Sequence, residues 1–324
     1  MRKRSISIDV NHFKTASKCN SMKRLPLIIL ACIPLFACSP AHEEPLATIG
    51  IVTDIHYCRD REPGGSRYYA LSKVKLSEAV DVFNEHKVDF TVSLGDIFDP
   101  DPDTYQDISD EFARLDAPVY KVLGNHDCIA PYDSEKQNAV LSLLGIENPY
   151  YSVKGPNNLR LIFIDGNDVS IQSTAPGTPK RDCAEKRLRE LEDCGEPYAR
   201  AYNGMLSEEQ TRWLVSELDA ARNASEEVLL FSHMPLQPRD IDAALWDGEE
   251  IDSLLQTYPN VRAVFSGHHH SGACHRSGKI MHYTFRGMIE GTGNHYGIVR
   301  IFRDSIDVTE YPWESERRTL RPFR

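Results

Sequence analysis

Phe90-Thr-Val-Ser-Leu-Gly-Asp-Ile-Phe-Asp99 closes an apolar run, Val88 to Leu94, with a glycine and then an acid. The run is rich in β-formers and long enough for a buried strand. A carboxylate at the carboxyl end of a buried strand is unfavourable unless it is paired or binds a cation. The same ending recurs along the chain. Thr48–Thr53 runs into Asp54-Ile-His56, and Val119–Leu123 into Gly124-Asn-His-Asp127. Val228–Phe231 runs into Ser232-His233, and Val261–Phe265 into Ser266-Gly-His-His-His270. Strand after strand delivers carboxylates, an amide and imidazoles to loop mouths. Asp96 reads as the centre of this group, bridging two metal ions with the other side chains on either side.

The segments around these motifs alternate strand and helix. In Asp54-Ile-His56 the i, i+2 spacing of an extended chain sends both side chains to one face, which suits two ligands on one ion. Alone, such an acid is as well explained by capping a turn. Arg59–Arg67 is a polar loop containing Gly64-Gly65. Arg67, Tyr68 and Tyr69 follow it and are candidates to clamp a ligand ring or phosphate, against the plainer reading of packing. Helices are expected over Tyr69–His86, Gln106–Leu115, Ser134–Leu144 and Glu249–Thr257. Another should open at the capping box Ser207-Glu-Glu-Gln210 and run through Arg222. Pro100-Asp-Pro-Asp103 reads as a solvated acidic loop. Tyr150–Val153 and Leu159–Asp165 read as an antiparallel pair around a Gly-Pro-Asn-Asn turn. Gly166–Met205 breaks the rhythm. It carries a charged helical run, Lys186–Glu192, and two cysteines, Cys183 and Cys194, expected to pair and to fix this excursion beside the site. Ile280–Ile289, Tyr296–Phe302 and Ile306–Glu310 read as antiparallel strands with no helix between them.

Each motif is weak alone. The ordered set is specific: Asp-x-His, Gly-Asp-x-x-Asp, Gly-Asn-His-Asp, His-x-Pro and Gly-His-x-His, each after an expected strand. From Thr48 to Ile289 the chain resembles the calcineurin-like metallophosphoesterase superfamily. The resemblance implies an α/β fold, a four-layer αββα sandwich of two mixed β-sheets flanked by helices. It implies one metal site from Asp54, His56, Asp96 and His270, and a second from Asp96, Asn125, His233 and His268. It makes His126 the proton donor and Asp127 its orienting partner, and leaves His269 outside the ligand set. Asp99 is expected to support a ligand from behind. Asp54-Ile-His-Tyr57, Ser66-Arg-Tyr-Tyr69, Ile164-Asp-Gly-Asn167, Tyr202-Asn-Gly204 and Glu290-Gly-x-Gly-Asn294 further resemble the manganese-dependent ADP-ribose/CDP-alcohol diphosphatase branch. The implied reaction is hydrolysis of a phosphoanhydride or phosphodiester in a nucleotide-type diphosphate. A phosphomonoesterase or cyclic-nucleotide phosphodiesterase on the same scaffold is the alternative, and a non-catalytic metal- or solute-binding lipoprotein a remote one.

The chemistry agrees. Two divalent ions about 3.5–4 Å apart clamp a phosphoryl oxygen and supply a nucleophile near neutral pH. Mixed imidazole and carboxylate ligands suit manganese, iron or zinc alike. A histidine such as His126 can protonate the departing oxygen.

Composition bounds the rest. The chain has 324 residues, 41% of them hydrophobic, enough for one large α/β domain. A net charge of -11 and no basic stretch near the motifs argue against nucleic acid as partner. They do not argue against a small phosphorylated substrate, because a metal pair supplies local positive charge. Lys23-Arg24 precedes an apolar run, Leu25–Ala37, of signal-peptide length, well short of the roughly 20 residues a spanning helix needs. Leu35-Phe-Ala-Cys38 resembles a bacterial lipobox. The expectation is cleavage before Cys38, lipidation of that cysteine and export, anchored to a bacterial membrane and facing the periplasm. Met22 opens a compact leader by itself. The expected organisation is a leader over 1–37, a tether over 38–46, the catalytic domain over 47–311 and a tail over 312–324. Of the 8 cysteines, Cys58, Cys128, Cys183, Cys194 and Cys274 remain beyond the leader.

Overall fold

The computed structural model describes residues 44–99, 104–128, 134–312 and 317–320. The expected leader, Cys38 with most of the expected tether, and residues 100–103 lie outside the described residues.

In chain order the elements are β1 (Ala47–Val52), α1 (Ser72–Glu85), β2 (Phe90–Ser93), α2 (Tyr105–Phe112), β3 (Val119–Lys121) and α3 (Ser134–Leu144). Next come β4 (Tyr151–Lys154), β5 (Leu159–Phe163), β6 (Val169–Ser170), α4 (Pro179–Cys194) and β7 (Gly204–Met205). Then follow α5 (Glu208–Asn223), β8 (Glu227–Phe231), α6 (Gly248–Gln256) and β9 (Val261–Ser266). The chain closes with β10 (Ser271–Ser277), β11 (Ile280–Arg286), β12 (Tyr296–Ile301), β13 (Ile306–Tyr311) and β14 (Arg317–Leu320). One sheet runs β14-β13-β12-β1-β2-β3 and the other β10-β11-β9-β8-β5-β4. Both are mixed. β1 is parallel to β2 and antiparallel to β12. β8 is parallel to β5 and β9, while β4 and β10 close the edges antiparallel.

Alternation along the strands builds the layers, because successive side chains point to opposite faces. Ile49, Ile51, Phe90 and Val92 of the first sheet meet Leu161, Phe163, Leu229, Phe231 and Phe265 of the second in one shared core. The next residues along the same strands face outward. Ile162, Val228, Leu230 and Val264 pack under Leu214, Leu218 and Ala221 of α5 and Ile251 and Leu255 of α6. Val52 and Ile298 pack with Leu76, Val80 and Phe83 of α1 and Ile108 and Phe112 of α2. This is the expected αββα sandwich. Each fully buried Leu, Ile or Phe contributes about 1.5–3 kcal/mol. The inter-sheet layer therefore holds the strand ends rigidly enough to fix side chains across two sheets. Half of the expected capping box forms: the Ser207 hydroxyl accepts from the Gln210 N–H at 3.2 Å and opens α5, but the Ser207 N–H donates to Asp168 Oδ2 at 3.1 Å instead of to the Gln210 side chain.

Three expectations are corrected. Cys183 and Cys194 are not paired; both are free and exposed. They lie near opposite ends of α4, where helical rise separates them by roughly 16 Å. A disulfide needs Cα atoms within about 7 Å. The helix itself is explained by Thr178 as N-cap, Pro179 in its first turn and a left-handed Gly195 at its end. Second, the domain does not stop at 311. Arg317–Leu320 pairs antiparallel with β13 and extends the first sheet, because β13 otherwise presents an unpaired edge. Third, β11 and β12 are not neighbours. β11 joins the second sheet beside β9, and β12 crosses to pair with β1 in the first. That crossing sends the loop at 287–295 over the mouth between the sheets.

Candidate active site

The loops after β1, β2, β3, β8 and β9 meet at one end of the sandwich. The backbone there is strained. Asp54 (φ 50°), His56 (φ 45°), Asp96 (φ 53°) and His268 (φ 65°) are all non-glycine residues in the left-handed region. Such conformations cost of order 1–3 kcal/mol each and persist only where surroundings impose them. Here the loops impose them on one another: Asp54 N–H donates to Gly95 C=O at 3.0 Å and His56 N–H to Asp96 C=O at 2.8 Å. Close approach of the loops demands glycine here. A Cβ on Gly124 would sit 2.0 Å from Asp96 Oδ1, and one on Gly267 would sit 1.9 Å from Thr53 Oγ1.

Every expected ligand reaches this point. Ligand atoms of Asp54, His56 and His270 cluster within 4.8 Å of one another, as do those of Asp96, His233 and His268. Asp96 joins the groups: its Oδ2 lies 3.3 Å from His56 Nε2 and 3.4 Å from His233 Nε2. Its Oδ1 accepts from the His126 N–H at 2.8 Å. Asn125 Oδ1 lies 3.2 Å from His233 Nε2.

The hydrogen-bond partners fix which atoms face inward. His233 Nδ1–H donates to Leu94 C=O at 2.7 Å, and His270 Nδ1–H to Glu290 Oε1 at 2.6 Å. Both rings therefore turn Nε2 to the centre. Asp54 Oδ2 accepts from Thr53 Oγ1 at 2.6 Å and from His268 N–H at 3.0 Å. Its Oδ1 is buried without a formed hydrogen bond and faces His270 Nε2 at 3.2 Å. Nε2 of His56 and of His270 face each other at 3.3 Å. Electron pairs thus converge on one another, an arrangement cations resolve. The titration behaviour agrees. Burial opposes charge on His233 and His270, yet Asp96 and Asp54 raise them to about 9 and about 10, so a proton does what a cation would do. Burial and His233 push His268 down to about 3. Burial also opposes ionisation of Asp54, but His270 and its neighbours hold it well below the usual carboxylate range. The donor set fits two divalent metal ions, one on each side of Asp96.

The supporting shell departs from expectation at one residue. Asp127 does not orient His126. Its carboxylate accepts the backbone N–H groups of Asp96 and Ile97, both at 2.8 Å, and of Gly124 at 2.9 Å. It lashes two loops together. Asp99 meets the His126 ring instead, with Oδ1 3.3 Å from His126 Nδ1 and Oδ2 3.4 Å from His56 Nδ1. Asp99 can do this because Asp99 N–H donates to Tyr57 C=O at 3.2 Å, which turns the loop back towards β1. Glu290, which the sequence marks only as part of a motif, braces His270. Its loop is held by buried Lys75, whose ammonium donates to the carbonyls of Met288 (2.7 Å), Gly291 (2.8 Å) and Glu290 (3.2 Å).

A cleft of ≈ 540 Å³ opens over Asp96, Asn125 and His126. Arg67, Gln172, Tyr202, Asp242 and His269 line its outer part. Of the candidate clamp, only Arg67 lies there. Tyr69 is buried against Cys58 and Ile289, with the Arg61 guanidinium 4.0 Å over its ring. Tyr68 is outside the cleft lining, tied by its backbone N–H to Ile289 C=O at 3.1 Å. Tyr202, Gln172 and Asp242 were missed as lining residues because the excursion that carries two of them has no strand-end signature.

The sequence pattern of the calcineurin-like phosphoesterases matches residues 47–272. The chain belongs to that family and is a metal-dependent hydrolase of phosphoric esters or anhydrides. Among its relatives is the manganese-dependent ADP-ribose/CDP-alcohol diphosphatase of Arabidopsis thaliana, 30% identical over 259 residues, which span 72% of this chain and 82% of that one. The human protein of the same name is 26% identical over 310 residues, spanning 81% and 89%. A dimetal phosphatase from Danio rerio shares the fold with a TM-score of 0.74 and 24% identity, over 86% of this chain and all of its own.

Proposed function

We propose that the chain is a manganese-dependent diphosphatase that splits a nucleotide-type diphosphate, such as ADP-ribose or a CDP-alcohol, into two monophosphates. The observation that carries this reading is the cleft. It continues past the ligands to a guanidinium, Arg67, and an aromatic ring, Tyr202. A lone phosphate monoester would leave most of that space unfilled. A second phosphate and a nucleoside would use it, and arginine is suited to phosphate oxygens. The names of the relatives support the same substrates.

In this reading the bound ions supply positive charge to the phosphoryl oxygens and a nucleophilic water at neutral pH. The chain's residues do the rest. Arg67 binds the distal phosphate, and Asp99 holds Nδ1 of His126. Nε2 of His126 is left to deliver a proton to the bridging oxygen as its bond to phosphorus breaks. Burial favours a neutral His126, but Asp96 and Asp99 outweigh it and raise its pKa, which keeps that proton in place.

Substrate panels test the assignment. The Mn²⁺-loaded chain should convert ADP-ribose or a CDP-alcohol to two monophosphates, with a kcat/KM at least about tenfold above that for a simple aryl phosphate. Remote binding can assist the chemical step in this way. Equal kcat/KM on the aryl monoester, or inorganic phosphate as the product from the diphosphate, would reject it.

We also propose export with a lipid on Cys38, from the pairing of Lys23-Arg24 with Leu25–Ala37 and Leu35-Phe-Ala-Cys38. Cells expressing the parent should incorporate a fatty-acid analogue into the chain, and Cys38→Ala should abolish the label. Undiminished labelling of that variant would refute it.

A further inference from the structure

We propose that Asn203 is a positioning residue: it locks His268 in one tautomer and so maintains one of the two metal positions. Asn203 lies at the end of the 166–205 excursion, just before β7, and is fully buried. Its Nδ2 donates to the carbonyls of Tyr198 at 3.0 Å and Asp242 at 2.8 Å. Both amide hydrogens are thereby used, and the amide can face in only one direction. Its Oδ1 meets His268 Nε2 at 2.8 Å. An amide oxygen only accepts, so Nε2 carries the hydrogen and the neutral ring keeps its electron pair on Nδ1. With Nε2 occupied, Nδ1 is the nitrogen His268 has left for the cluster it forms with Asp96 and His233. The opposite tautomer would set two electron pairs against each other at Asn203 and put an N–H where a ligand is needed.

The lock is itself braced. The Tyr202 ring lies edge-on to His268 with centroids 5.5 Å apart, and its hydroxyl donates to Asp242 Oδ2 at 3.1 Å. The Arg239 guanidinium lies 3.7 Å over the Tyr198 ring. Tyr198 packs with Ala184 and Leu191 of α4 and with Trp246. The excursion therefore does more than rim the cleft: its small core ends in a hydrogen bond to a ligand. Outer partners of metal-bound histidines fix tautomer and orientation in this manner.

The proposal rests on the two-metal reading above, and the test separates the two. In the metal-free full chain with ¹⁵N-labelled histidine, long-range ¹H–¹⁵N correlation should show His268 protonated at Nε2. Finding it protonated at Nδ1 would overturn the proposal even if no variant folds. Mn²⁺ binding is then measured on the parent, Asn203→Ala and Asn203→Asp. Alanine removes the acceptor, whereas aspartate keeps it and loses both donors. Asn203→Ala should weaken one site by about 10–100-fold and leave the other within about threefold of the parent. Asn203→Asp, which keeps the acceptor but sets an oxygen against the Tyr198 and Asp242 carbonyls, should weaken the same site clearly less than Asn203→Ala does. Parent-like binding by Asn203→Ala, or an aspartate variant as weak as the alanine one, would overturn the proposal alone. A parent that takes up no Mn²⁺ would overturn the two-metal reading, and the metal-holding half of this proposal with it.

Discussion

Asp96→Asn should reduce bound Mn²⁺ from two ions per chain to at most one and lower turnover by more than about 100-fold. That exceeds the 10–100-fold expected for residues that merely brace a ligand. The substitution is nearly isosteric. The amide oxygen can still accept from the His126 N–H, now 2.8 Å from Asp96 Oδ1. What it removes is the second oxygen, which lies between His56 Nε2 and His233 Nε2 at 3.3 and 3.4 Å. An amide nitrogen there offers hydrogens instead of electron pairs. The loop should stay folded, because the Asp127 carboxylate still accepts the N–H groups of residues 96, 97 and 124. Metal analysis beside circular dichroism reads both halves. Two tightly held ions in a folded Asp96→Asn protein would refute the bridging role.

His126→Ala should act differently. It should retain both ions and lose turnover by about 10²–10⁴-fold, the range for a general acid. The His126 side chain is 33% exposed at the cleft; its ring lies edge-on to that of His56, centroids 4.6 Å apart, but fills none of the expected ligand positions, so its removal should empty none. The loss should shrink on an aryl phosphate with a good leaving group, because that oxygen departs with little need of a proton. A loss equal across leaving groups would show that His126 serves some other step.

How much of this was legible in the chain depends on where each residue sits. The residues that cluster at the strand ends were readable because the motifs, each weak alone, follow one expected strand after another as an ordered set. Asp54, Asp96, Asn125, His233 and the 268–270 triplet all belong to that set. The layered fold was legible only through the family resemblance those motifs carry, because the strands are apolar on both faces: Phe163 and Phe231 point to one and Ile162 and Leu230 to the other. The supporting shell was readable only in part: Asp99 was expected behind a ligand and lies 3.4 Å from His56 Nδ1. Asp127 and Asp99 are both acids near His126, and only the loop path decides which one its ring meets. Asn203 lies far from its partner in sequence, in an excursion whose charged helix and two cysteines suggested a disulfide. β14 escaped notice because its sequence, Arg317-Arg-Thr-Leu320, is polar and lies on a sheet edge, where an apolar pattern is not required.

The most direct test of the metal centre is anomalous diffraction from crystals grown in Mn²⁺, with data on either side of the manganese edge. Two peaks about 3.5–4 Å apart should flank Asp96 Oδ2. One should lie among Asp54, His56 and His270, the other among Asn125, His233 and His268. A single peak, or a pair that does not share Asp96, would contradict it.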